Sequence, residues 1–162
     1  MIDALRQPFF WLLFIHVGAA IIGLGPSFVY ARIGGAALKE PAHALFAMRL
    51  ARGLTTRWTH PLAFVVLASG FALVWYAGYD VLATGWLLLS IVLYLLSFLY
   101  ATFIQNRDLA RALEIMEKSP SNTQTDSERV ELAGIRRRVR YGGMFMRGIV
   151  VIVLFLMISK PS

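Results

Sequence analysis

His16 and Arg147 are the residues whose chemistry fits their surroundings worst, because each stands inside an otherwise apolar run. An ionisable side chain within a bilayer is costly, and it normally faces the bundle interior or a wet cavity. Three, four, seven and eleven positions after His16 come Ala19, Ala20, Gly23 and Ser27, all on its side of a helix. Such a stripe of small residues lets another helix, or a flat macrocycle, approach closely. His16 is therefore either a neutral residue making one interhelical hydrogen bond, or a metal ligand or proton carrier. Arg147 lies about four or five residues inside the basic boundary of its run, and no acidic residue occurs in any span to neutralise it. Either it snorkels to the headgroups, or it grips a buried anion such as a substrate or cofactor carboxylate, near His60, Ser27 and Tyr30 at similar depth.

His60 follows Thr59 and precedes Pro61, which is well tolerated in a first helical turn. Its simplest role is an interfacial cap. Counted from opposite membrane faces, His16 and His60 fall roughly 15 to 20 Å apart along the membrane normal, so they cannot ligate one iron together. The third histidine, His43, falls in a loop. Haem, if held, would then take His16 as its metal ligand, either five-coordinate or with a weaker second ligand, with Arg147 and His60 as the other cofactor-binding candidates. The chain has no P-loop, zinc motif or nucleophile triad.

The elements that must position these residues are four apolar segments, about 8–31, 58–79, 83–105 and 141–159. A hydrocarbon core of about 30 Å needs roughly 20 apolar residues at 1.5 Å rise, and each segment meets that length. The expected fold is all-α, a four-helix transmembrane bundle in one integral membrane domain. The loop after the first segment holds Arg32, Lys39, Arg49, Arg52 and Arg57, and the loop after the third holds eight further Lys and Arg residues. The connection around Asp80 holds none. By the positive-inside rule both basic loops are cytoplasmic and both termini outside.

Within the third loop, 106–118 reads as a helix with Leu109, Leu113 and Met116 on one stripe, and Ser119 to Gln124 breaks it. Thr125 followed by Glu128 has the spacing of a capping box, opening a helix that runs into the fourth span. The third and fourth helices are thus expected to extend into the cytoplasm as a hairpin. In the first loop, Gly34 and Gly35 are expected to end the first helix, and 42–54 to form an amphipathic helix with Leu45, Phe46, Met48 and Leu50 toward lipid. The GLGP sequence from Gly23 to Pro26 marks a break in the first helix. Trp11, Trp75, Tyr76, Tyr79 and Trp86 read as one interfacial belt, with Trp58 and Tyr141 at the other.

At 162 residues, 58% of them hydrophobic, the chain has no room for a separate soluble domain. Its net charge of +7 lies in loops that alternate with neutral ones, which argues for membrane topology and against nucleic acid. The partners expected are the lipid bilayer, anionic lipid at the cytoplasmic face through Arg136 to Arg140, and a second copy of the chain. With no cysteine, disulfides and thiol chemistry are excluded. The polar lead holding Asp3 and Arg6, followed by an overlong apolar run, reads as an uncleaved N-terminus.

The runs FFWLLFIHVGAAIIGLGPSF, RWTHPLAFVVLASGFALV and VVIVLFLMISKP resemble the predicted integral membrane proteins grouped as domain of unknown function 2269. The resemblance covers nearly the whole chain. It implies a bacterial four-helix inner-membrane protein with a histidine in helix one, a proline near the start of helix two, and Lys-Pro after helix four, matched by His16, Pro61, Lys160 and Pro161. That family has no settled activity. A weaker resemblance reaches the bacterial membrane protoporphyrinogen oxidases and the copper-resistance D type proteins, with GLGPSF in place of their tryptophan–glycine pattern. It implies haem or copper handling. Two functions stay open: a redox or tetrapyrrole-handling protein, or a non-enzymatic accessory or transport subunit held by helix packing.

Overall fold

The computed structural model describes residues 7–119 and 123–161, and every regular element among them is helical. Seven α-helices make four long rods. The first joins α1 (Pro8–Leu24) to α2 (Pro26–Lys39), and the second joins α3 (Ala44–Leu54) to α4 (His60–Ala77). The third joins α5 (Gly85–Leu99) to α6 (Asn106–Lys118), and α7 (Asp126–Ser159) is the fourth. All four rods are long and apolar enough to cross a membrane.

Sequence chemistry accounts for the ends and breaks. Gly25 interrupts the first rod for one residue, and Pro26 after it lacks an N–H to continue the ladder. Gly34 and Gly35, expected to stop this rod, do not. Each glycine costs a helix only about 1 kcal/mol, and the rod continues to Lys39. It ends because Pro41 forces Glu40 out of the helical region, to φ −126° and ψ 79°. Gly78, in the left-handed conformation at φ 68°, closes α4. The capping box at the start of α7 is formed in both directions, Glu128 N–H to Thr125 Oγ1 and Thr125 N–H to the Glu128 carboxylate.

The first-loop helix also departs from expectation. Rather than lying apart on lipid, α3 runs through a π-helical turn (Thr55–Thr59) straight into α4. Phe46 and Leu50 are exposed, but Met48 packs inward on a core of Ala112, Ile115, Leu132 and Ile135. Those four residues join α6 to α7, and α3 closes over α6 with an Arg49–Glu117 pair at 2.9 Å. A second π-helical turn, Tyr100–Gln105, joins α5 to α6. This basic end of the molecule is therefore a three-helix cluster with its own core.

Beyond that cluster the rods separate into two pairs. α1 packs along α4, and α5 packs along α7. At the end opposite the basic cluster, ring contacts Phe9–Tyr76 and Tyr79–Trp86 gather the aromatic residues.

Candidate functional site

Each helix pair is tight where small residues meet. Ala19 and Gly23 of α1 are buried against Ala63, Val66 and Ser69 of α4, and a Cβ on Gly23 would stand 2.7 Å from Leu62 Cβ. Gly142 and Gly143 of α7 are buried, with the Tyr100 ring against Gly142. Tyr94 donates to the Ala63 carbonyl at 2.7 Å, linking one pair to the other. Between the pairs remains a cavity of about 1660 Å³, walled mostly by apolar side chains.

His16, His60 and Arg147 all line this cavity, as do Ser27 and Tyr30. His16 Nδ1 lies 3.1 Å from Ser69 Oγ. The Ser69 hydroxyl gives its one proton to the Val65 carbonyl, 2.6 Å away, so toward His16 it accepts. Nδ1 then carries the ring proton and Nε2 the lone pair. The ring edge packs on α4 at Gly70, where a Cβ would meet His16 Cε1 at 3.1 Å. Glycine at position 70 is what lets the imidazole lie this close.

His60 has the same tautomer for a simpler reason. Its Nδ1 is 2.9 Å from the Thr55 carbonyl, which can only accept, so Nδ1 donates. Nε2 keeps its lone pair, buried and without a partner among the described residues. Its level is set by Thr59, whose Oγ1 lies 3.0 Å from Tyr30 OH. Ser69 and His60 are two and a half turns apart along α4, roughly 14 Å. The two histidines thus occupy different levels of one cavity. Ser27 donates to the Leu24 carbonyl beside the Gly25 break. His43 lies outside the cavity, exposed, paired with Glu40 at 3.1 Å.

Arg147 is half-buried, its Nη1 beside Gly143 one turn back toward the basic end. It has no ion pair or hydrogen bond among the described residues. Gln105 Nε2 approaches Gly143 from the π-helical turn after α5, and Gln105 Oε1 is buried without a partner among the described residues. No group of three or more His, Asp or Glu side chains able to hold a metal occurs among the described residues.

Residues 10–161 match the family model described as predicted integral membrane protein, domain of unknown function 2269. The chain belongs to that family. No curated protein and no solved structure matches it. For this member of the DUF2269 family, the cavity wall includes polar residues that its sequence did not single out. Gln105, Ser97 and Tyr94 all line it, and Ser97 Oγ, like Gln105 Oε1, is buried and unpartnered among the described residues. The available signal was an uncharged amide at the end of a span, which a search for charged residues passes over. Ser69, the partner of His16, carried no sequence signal beyond a hydroxyl in an apolar helix.

Proposed function

We propose that this DUF2269 protein holds an apolar-bodied, acid-bearing ligand between its helix pairs, and that the ligand is a tetrapyrrole. One observation carries the reading: His16 lines the cavity while Ser69 holds the proton on its Nδ1 and so leaves Nε2 unprotonated, the arrangement that orients a metal-ligating histidine. The remaining residues fit such a group. Apolar walls suit its ring, and Arg147 at the basic end suits a carboxylate, with His60 Nε2 there to accept a proton-bearing group. A bound tetrapyrrole iron would supply one-electron redox chemistry. The protein's own share would be to bind the ring, exclude water and hold the acid group.

The reading includes an orientation. With the basic cluster in the cytoplasm of a bacterial inner membrane and both termini outside, Arg136 to Arg140 would meet anionic lipid of the inner leaflet. A second reading, an accessory or transport subunit, is favoured by the same His16–Ser69 bond taken as helix glue beside the Gly23–Leu62 contact. The absorption spectrum of the detergent-solubilised protein separates the two. A Soret band present in the wild type and lost in His16→Ala supports tetrapyrrole binding. A colourless protein that copurifies with another subunit, and gains no Soret band on haem addition, sinks it.

A further inference from the structure

A second donor meets Arg147 inside the bundle. Gly142 and Gly143 are both buried on α7, and their missing side chains leave two hollows on the side that packs along α5 and its π-helical turn. The Tyr100 ring fills the first. At the second, the point a Cβ would occupy lies 3.4 Å from Arg147 Nη1 and 4.0 Å from Gln105 Nε2. Arg147 arrives from one turn along α7, and Gln105 from the last position of the π-helical turn, so two separate stretches of chain bring N–H groups to one hollow. π-helical turns occur mostly at functional sites. Gln105, Gly143 and Arg147 all line the cavity, and neither polar side chain has a hydrogen-bond or ion-pair partner among the described residues.

The other cavity-lining arginines of α7 are placed differently. Arg136, Arg137 and Arg140 are exposed at the basic end, where water and headgroups satisfy them, and Arg137 stacks on Tyr141. Arg147 is half-buried. A guanidinium and an amide N–H that converge on one hollow call for two acceptor oxygens. A carboxylate carries two on a single carbon. We propose that Arg147 and Gln105 together grip one carboxylate of the bound ligand over Gly143, with Gln105 as a specificity-determining residue and Gly143 as the hollow that admits the oxygens. The proposal rests on the tetrapyrrole reading and deepens it, because it fixes the acid edge of the ring separately from the hold of His16.

The test titrates the full chain, in uncharged detergent, with haem and with haem dimethyl ester, and reads binding from the Soret band. Wild type should bind the free acid about tenfold more tightly than the ester. Gln105→Leu and Gly143→Ala should each remove most of that preference and leave the ester affinity unchanged. The Gly143→Ala methyl meets both donors at ordinary contact distance, so the fold is kept and only the space for the oxygens is lost. Gly148→Ala, at a position where a Cβ meets nothing and which does not line the cavity, should keep the preference, as should Arg136→Gln, Arg137→Gln and Arg140→Gln. His16→Ala should weaken acid and ester alike. Equal binding of acid and ester by wild type, or an equal loss of preference in the Arg136, Arg137 and Arg140 variants, would refute the site and leave the tetrapyrrole reading standing. Binding of neither compound by wild type would overturn both. A preference abolished by inorganic phosphate, but not by acetate at equal ionic strength, would overturn the carboxylate assignment in favour of a phosphate.

Discussion

His16 and His60 share one arrangement at different depths: a proton held on Nδ1 by an oxygen of the chain, and a lone pair left on Nε2. Arg147 supplies the opposite need, five donors and no acceptor among the described residues. If Arg147 grips a carboxylate, Arg147→Lys should keep membrane insertion yet lower ligand retention by about tenfold, because an ammonium cannot reproduce the planar fork. Ligand copurification measures this, and full retention in the lysine variant would mean that Arg147 only snorkels. That Arg147 and His16 stand in apolar helices was legible in the sequence, because both interrupt apolar runs. The partner of His16 was not, since the His16–Ser69 pairing joins residues 53 apart and depends on the rotation of two helices about their axes.

The stripe Ala19–Gly23 was legible as a packing face, and it is the face that meets α4. Gly23→Leu should therefore destabilise the protein by about 1–3 kcal/mol through overpacking on Leu62, whereas Leu13→Ala at an exposed position should cost far less. Thermal unfolding in detergent measures both, and equal tolerance would place the stripe against lipid. In the basic cluster, packing should outweigh ion pairs. Ala112 is 0% exposed between α6 and α7, so Ala112→Leu should cost about 1–3 kcal/mol. Arg49→Ala, which breaks the exposed pair with Glu117, should cost less than about 1 kcal/mol in the same assay. The turn chemistry was only partly legible. The Thr125–Glu128 box announces itself at fixed spacing, but Gly34 and Gly35 are weak stops beside Pro41, and nothing local marks the two π-helical turns.

At the scale of the whole molecule, four apolar segments separated by alternating basic and neutral loops were enough to specify four spanning helices. With both basic loops on one side, reporter fusions after Arg57 and Lys118 should score cytoplasmic and a fusion at Asp80 outside. Opposite scores would invert the orientation. The cavity was not legible, because it arises from which helices pair: α1 with α4 and α5 with α7 leave a space that neither pair fills. The most direct measurement is mass spectrometry of the small molecules released when the protein is purified from its own membrane. An apolar, acid-bearing tetrapyrrole, stoichiometric with the wild-type chain and depleted in His16→Ala, is the expected result. Release of membrane lipids alone, in their bulk proportions and unchanged in His16→Ala, would contradict it.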